Sequence, residues 1–360
     1  MIQGESTARK HQGRLSRLLS ALLPVSEQSG AIAQGRQLPV WQFQIIDSLV
    51  QGTSVDDAIR RGLAGGKVSG DIATEFAQAV QRSPAFWVAR SYWMRLRCRD
   101  WLLRVQATLS EHGADGARLD MRSGVSREEF ERNYYFSNRA LLLRGIASGW
   151  PAVKLWNQEY LAHACGDVTV EVMIDRMSAE VTMRNTAADL ARSIALRDYL
   201  ALMFGTDRSN DFYLVSRNRF FEQPGTRVLL DDVGDLPFVN TRAPGAGVKM
   251  WLGPAGTVTE LHHDDRNNFI VQIFGRKRVR VYPPYYAELM AQSQAWYAGA
   301  DPAKDPAGDK GSAGQSTFVL EPGDGLFIPV GWWHALEALD PSSTLAFIDF
   351  SLPNEYGRPY

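Results

Sequence analysis

The sequence predicts an α+β chain, mainly helical over residues 1–120 and sheet-built over 121–360, with a β core at approximately 211–350. Two features predict it. Apolar residues recur at helical spacing in the N-terminal third, whereas from about Asp211 short β-like runs alternate with Gly, Pro and Asp. Strand signals repeated without helices between them imply a sandwich or barrel rather than βαβ units.

The elements follow in chain order. The apolar run Leu18–Val25 is too short to span a bilayer, and no secretory cleavage pattern accompanies it. A cytoplasmic chain with no membrane contact is therefore expected. After a turn-rich piece near Gly30–Pro39, VWQFQIIDSLVQG reads as helix. In the next helix Ser54 or Thr53 is the cap, with Asp56 and Asp57 in the first turn. Ile72, Phe76 and Val80 mark the apolar face of another helix, stopped near Pro84. A long helix follows, carrying Trp87, Trp93, Leu96, Trp101 and Val105. These pack on neighbouring helices or the barrel, or else form a dimer or substrate-facing surface. Its Arg90, Arg95, Arg97, Arg99 and Arg104 form a solvated face or an anion contact.

Gly113–Gly124 reads as a linker, and Ser126 with Glu129 as a capping box. Ala140–Leu143 is a short strand, Gln158–Cys165 a helix, and Thr169–Ile174 a strand. Asn185–Phe204 reads as one helix, with Ala187, Leu190, Ile194 and Leu200 inward. The β-like runs are FYLV, VKMWLG, TVTELHHDD, NFIVQIFG, KRVRVYP, STFVL, GLFIPV and TLAFIDF, with an insertion at Gln294–Ser316.

Composition bounds the function. At 45% apolar, 22% charged and net charge −1, nothing global marks a nucleic-acid or membrane-surface protein, although a local patch could still serve an RNA. Cys98 and Cys165 stand alone, which excludes a disulfide framework or thiolate metal site.

The chemistry concentrates in GTVTELHHDDRNNFIVQIFGRKRVRVYPP and FIPVGWWHALEAL. In an extended segment His262 and Asp264 project to one face, with His263 as the competing imidazole on the other. With His334 they supply two imidazoles and one carboxylate. That set holds one face of octahedral Fe(II), and also suits zinc or manganese. Lys277, one of seven lysines, shares a strand face with Val279 and Val281. A lysine pointing inward needs a counter-charge, unless it snorkels to the barrel mouth. Thr259 lies across the strand from Glu260, either beside the same counter-charge or as a plain strand former. Glu260 is read as turned away from the metal. The two tryptophans before His334 read as packing that holds the ligand strand, and Gly323 and Gly325 as a tight turn before it.

On these residues the region from about Ser126 to Phe350 resembles the JmjC-containing cupin-like Fe(II)/2-oxoglutarate oxygenases. The motif pattern is closest to the asparaginyl hydroxylase that inhibits hypoxia-inducible factor. The family's threonine, HxD and asparagine segment appears as TxLHxDxxxN at Thr259–Asn268, its QxxGxKR segment at Gln272–Arg278, and its distal PxxWWH pattern at Pro329–His334. The resemblance implies a double-stranded β-helix (a cupin/JmjC jelly-roll barrel) and a hydroxylase using Fe(II), 2-oxoglutarate and molecular oxygen. It makes His262, Asp264 and His334 the metal ligands, with Thr259, Lys277 and Tyr213 on the cosubstrate. Asn268 then lies near the cosubstrate, and Asp349 stands where the hydroxylase has a pocket asparagine. A one-residue register shift would turn Asp349 to solvent instead. The implied substrate is a protein or peptide side chain; a small molecule, an RNA and a non-catalytic metal-binding module are the alternatives. N-methyl demethylation fits less well, because it often uses HxE where this chain has HxD. The chain ends soon after its last strand, without the C-terminal helical dimerisation segment of that hydroxylase, so any homodimer would need another surface, the N-terminal helices being the candidate.

Overall fold

The computed structural model describes residues 38–64, 68–112, 119–177, 190–215, 219–242, 247–286 and 316–356. The Leu18–Val25 run and nearly all of the Gln294–Ser316 insertion lie outside these residues. The chain divides into two units, Met1–Arg104 and Val105–Tyr360.

The first unit contains helices α1 (Val40–Val50), α2 (Val55–Leu63) and α3 (Gly70–Arg82), and most of α4 (Pro84–His112). Ser54 caps α2 by accepting from the Asp57 amide, and Ser69 caps α3 from that of Ile72. Ile45, Ile46, Leu49, Ala73, Ala77, Val80 and Phe86 form the core. The expected Ile72 face is displaced. Ile72 is exposed, and the small Ala73 and Ala77 turn inward, which lets the helices approach closely. On α4, Phe86 and Trp93 pack into this core, whereas Trp87 and Trp101 stay exposed, contrary to the packed stripe expected.

The second unit opens with β1 (Asp120–Arg122), which pairs in parallel with β2 (Leu141–Leu143) inside what reads as linker. Residues 113–118 of that linker lie outside the description. Ser126 accepts from the Glu129 amide at 3.1 Å and starts the short α5 (Arg127–Phe130). Then follow α6 (Pro151–Leu155), α7 (Gln158–Cys165), β3 (Thr169–Met173), β4 (Ala191–Ala195) and α8 (Leu196–Phe204). The single helix expected over Asn185–Phe204 is corrected: Ala191–Ala195 is a strand paired with β3, and residues 185–189 lie outside the description. Val170 and Val172 are buried in the pairing, and this tertiary partner overrides the local helical pattern.

The remaining strands are β5 (Val248–Gly253), β6 (Val258–His262), β7 (Asn268–Phe274), β8 (Lys277–Tyr282), β9 (Ser316–Leu320), β10 (Gly325–Ile328), β11 (Trp333–Ala338) and β12 (Ser342–Phe347). They form a six-stranded sheet, β1-β2-β10-β7-β12-β5, and a four-stranded sheet, β6-β11-β8-β9. Ile270, Leu326, Ile328 and Ala346 of the first share one core with Val279, Val281, Leu320 and Leu336 of the second. Two sheets enclosing one core make a jelly-roll sandwich. The larger sheet is buried on its other face too. There Phe269, Val271, Leu345 and Phe347 pack with Phe130, Tyr199 and Leu200, which explains the uninterrupted burial of β7 and β12. Phe130 is the keystone, stacked 4.0 Å from Phe238 and edge-on to Phe327 at 4.9 Å. Truncating it to alanine would cost about 3–5 kcal/mol.

Candidate metal and diacid site

The register of the smaller sheet builds the site. Along β11, His334 faces Val281, Leu336 faces Val279, and Ala338 faces Lys277 across the pairing with β8. On the other side His334 faces His262, and Leu336 faces Thr259. Directly paired residues share a face. His262, Thr259, His334 and Lys277 therefore all look into the sandwich core. Strict alternation would instead have put Glu260 beside His262 and Thr259 on the opposite face. A register shift between His334 and Leu336 sets two residues of β6, Leu261 and Glu260, against one of β11, Ala335. This β-bulge brings Thr259 inward and leaves Glu260 exposed.

Ligand-capable atoms of His262, Asp264 and His334 lie within 4.8 Å of one another. The His262 and His334 rings are 4.2 Å apart, and their Nε2 atoms stand 4.0 and 3.7 Å from the Asp264 carboxylate. Each Nδ1 faces a backbone carbonyl: His262 that of Glu260 at 2.7 Å, His334 that of Trp332 at 3.0 Å. A proton donated from Nδ1 to a carbonyl leaves the Nε2 lone pair for a metal. Burial, reinforced by His262, pushes the His334 imidazole down to about 4, so it is neutral at neutral pH. Burial raises the Asp264 carboxyl, but His334, His262, Asn268 and Lys249 together outweigh it and hold it below its ordinary value. Two imidazoles and one carboxylate, the last with 33% of its side chain exposed, fit a divalent ion with an open side. His263 faces elsewhere. Its ring packs edge-on to the buried Trp333 at 4.7 Å, and burial lowers its pKa.

The supports are mostly amides. Asn268 donates to Asp264 at 3.5 Å, and its own buried Oδ1 has no partner among the described residues. Asn267, 1% exposed, is tied from two directions. Its Oδ1 accepts from Val330 at 2.8 Å. Its backbone exchanges hydrogen bonds with the Asn354 side chain at 2.7 and 3.0 Å, and its Nδ2 donates to the Tyr356 hydroxyl at 3.1 Å. The Trp332 indole donates to Asn138, fixing the turn before His334. That turn carries Gly331 at φ +80°, a further special conformation beside Gly323.

Lys277 is 2% exposed, and its Nζ meets the Tyr213 hydroxyl at 3.2 Å; among the described residues no carboxylate pairs with it. A buried ammonium with one neutral partner is costly until an anion reaches it. Four strand residues, about 13 Å, separate the Lys277 and His334 levels. The gap suits a diacid reaching from the metal to the lysine. Two glycines make this geometry. A Cβ on Gly253 would stand 2.6 Å from the Tyr213 ring, so only glycine admits the tyrosine there. Gly275, at φ +66°, turns β7 into β8, and the buried Gln272 donates to the Phe274 and Gly275 carbonyls.

Asp349 does not join the site. β12 ends at Phe347, the chain leaves the sheet, and the exposed Asp349 carboxylate accepts from Asn240 at 2.9 Å. Three residues escaped the sequence reading. Arg176 bonds to Asn210 and to the Val258 carbonyl, anchoring the start of β6, and lies over the Tyr213 ring. Lys249 pairs opposite Ala346 on the inner face, and its charge reaches Asp264. Trp251 packs beside it in the shared core. The signal was the alternation in VKMWLG, but both faces of that strand read as apolar.

Residues 127–348 match the cupin-like domain family, more than half of the chain. The chain belongs to the cupin-like domain family. This cupin-like chain is 30% identical over 234 residues to lysine-specific demethylase 8 of Xenopus tropicalis, covering 62% of this chain and 50% of that protein. It is 30% identical over 239 residues to Jumonji C domain-containing protein 5 of Drosophila melanogaster, covering 62% and 57%. With tRNA wybutosine-synthesizing protein 5 of Gallus gallus it shares 24% over 237 residues, 59% and 70%. The cupin-like chain thus spans about half the length of the first relatives it matches. Their Jumonji C and demethylase names agree with the JmjC resemblance; the narrower likeness to the asparaginyl hydroxylase rests on motifs alone. No described helix is long and apolar enough to cross a membrane.

Proposed function

We propose that this protein is an Fe(II)- and 2-oxoglutarate-dependent oxygenase that hydroxylates a C–H bond in a protein or peptide side chain. One observation carries the reading: the metal-ready His262, Asp264 and His334 lie beside the inner face that holds a buried lysine with no counter-charge among the described residues. Metal storage would need only the first half of that arrangement.

His262, Asp264 and His334 would hold the metal; Lys277, Tyr213 and Thr259 would hold the far carboxylate of the cosubstrate. The buried Oδ1 of Asn268 adds a polar contact on the Asp264 side. When bound, iron and 2-oxoglutarate supply an oxidant able to attack an unactivated C–H bond, releasing succinate and carbon dioxide. The chain's own residues set what happens around it. Lys277 fixes one end of the diacid and so its orientation. Asn268 keeps the Asp264 carboxylate aimed, and the Nδ1 bonds keep both imidazoles in the ligating tautomer. Val279, Val281 and Leu336 line the inner face with apolar surface, which limits water.

The same chemistry on an N-methyl group would demethylate lysine, as the names of several relatives suggest for those proteins. The charge of Lys249 near Asp264 disfavours that substrate here, because a methylammonium would approach like charge. A neutral or anionic side chain suits the mouth better.

The test is anaerobic loading with Fe(II) and 2-oxoglutarate, followed by oxygen and a broad peptide library, with succinate and peptide mass as readouts. Peptide-dependent succinate with a gain of one oxygen supports the proposal. Loss of methyl groups from methyl-lysine peptides would move it to demethylation. Turnover only with RNA or small metabolites would move it to those substrates, and metal binding without turnover would leave a binding module.

A further inference from the structure

We infer that Lys249 selects the substrate by charge: the group that enters carries a carboxylate next to the carbon that is oxidised, as an aspartyl or glutamyl side chain does. The inference rests on the oxygenase reading above and narrows its substrate from any side chain to an acidic one.

Strand pairing places the lysine. β5 is the end strand of the six-stranded sheet, with β12 beside it and β7 next. Along one row Lys249 faces Ala346, Ala346 faces Ile270, and Ile270 faces Leu326. The last three belong to the core shared by the two sheets, so the Lys249 side chain starts on that inner face. Val248, Met250 and Leu252 take the other face of β5 and are buried there. Asn268, which faces Ile328 and donates to Asp264, sets the next row toward the metal ligands. Two strand spacings, about 10 Å, and one same-face step of about 7 Å separate Lys249 from Asn268. Ala346 puts only a methyl between them, which leaves the four-carbon lysine stem room to cross toward Asp264. The electrostatics agree, because Lys249 is among the groups that hold the Asp264 carboxyl below its ordinary value. Lys249 is half-buried and the Asp264 side chain is 33% exposed, so both stand where a substrate can reach them.

Charge makes this lysine a selector. In the loaded centre, a divalent metal and Lys277 are balanced by Asp264 and the two carboxylates of the diacid. Lys249 adds a positive charge beyond that balance, beside the apolar Trp251, where water screens it weakly. A methylammonium or guanidinium would meet like charge there, whereas a carboxylate would be drawn in. An ammonium has three donors, so a substrate carboxylate joins the contacts that Lys249 already makes. Metal binding does not call for this residue, since a cation close to a divalent ion opposes its entry. The diacid has its own cation in Lys277. Recognition of the third component is what remains.

The test reads binding as well as turnover, on the full chain. Fluorescent peptide pools with random flanks and a fixed central Asp, Glu, Asn, Gln or Lys are titrated anaerobically into protein holding Fe(II) and 2-oxoglutarate. Oxygen is then admitted, and succinate and peptide mass are read. The Asp and Glu pools are expected to bind about tenfold or more tighter than the Asn and Gln pools, with the Lys pool weakest. Lys249→Arg should keep that preference, Lys249→Met should erase it, and Lys249→Glu should turn it toward the Lys pool. Circular dichroism and 2-oxoglutarate affinity should not change in Lys249→Met. Equal binding of the Asp and Asn pools overturns the inference, and so does an acidic preference that survives Lys249→Met. Succinate formed with neutral or basic pools alone overturns it while leaving the oxygenase reading intact. Acidic peptides held through Lys249 without any succinate would support the carboxylate site and sink the oxygenase reading, so the two fail separately. Turnover of free aspartate or glutamate in place of the peptides would keep the carboxylate and assign it to a small acid.

Discussion

Replacing Lys277 with methionine separates two quantities that a structural lysine would move together. In the fold its ammonium is 2% exposed and meets one neutral hydroxyl, that of Tyr213 at 3.2 Å. A charge-assisted hydrogen bond contributes about 1.5–3 kcal/mol, and each 1.4 kcal/mol is tenfold. Lys277→Met should therefore weaken 2-oxoglutarate binding by about 10–150-fold, with Thr259 and Tyr213 keeping the remainder measurable. The ligand-free protein should respond oppositely. Exchanging a lone buried charge for an apolar chain of similar length removes its desolvation cost, a gain of about 1–3 kcal/mol. In a unit the size of residues 105–360 this raises the melting temperature by about 2–4 °C per kcal/mol. Anaerobic titration calorimetry gives the affinity, and scanning calorimetry of the metal-free protein gives the stability. Unchanged affinity together with a less stable apoprotein would refute the diacid socket and make Lys277 a structural residue.

Three further outcomes follow from the same geometry. Gly253→Ala pushes a methyl against the Tyr213 ring and should weaken 2-oxoglutarate several-fold while leaving metal affinity intact; calorimetry with each ligand separates the two. In metal-free protein the His334 imidazole has a folded pKa of about 4, below its unfolded value near 6.5. Its neutral form is thus favoured by folding: the contribution is complete above about pH 6.5 and is lost as the pH falls toward 4, visible as a falling melting temperature that His334→Gln flattens. Cys98 should react with a thiol reagent within mixing time, whereas Cys165, buried and with its thiol pushed up to about 11, should react only on unfolding; stopped-flow absorbance counts the two phases.

Much of the site was legible because it hangs on regular strands. Period-two alternation around His262 and Lys277 identified the inward residues, and the sheet register agrees for Lys277, Val279 and Val281. Thr259 is the instructive exception: it shares the inner face with His262, while alternation alone would have turned it away. The bulge that reconciles them belongs to the pairing of β6 with β11 and has no signature in either segment. Of the two readings open for Asp349, the structure takes the solvent-facing one: the chain leaves the sheet after Phe347, and Asn240 holds the Asp349 carboxylate there. Ala191–Ala195 became strand because β3 needed a partner. Lys249 was hidden in a strand buried on one face and half-buried on the other, where composition does not tell inside from outside.

The amide knot at Asn267 gives residues 354–356 an unexpected rank. This short stretch behaves as the pin of a hinge: it grips the residue lying between Asp264 and Asn268's strand, and that same residue steadies the approach to His334. An expression boundary drawn at the end of β12, tidy by eye, would withdraw the pin and loosen the carboxylate and the distal imidazole together. Trimming here is surgery on the metal centre, carried out from some ninety residues away in the sequence.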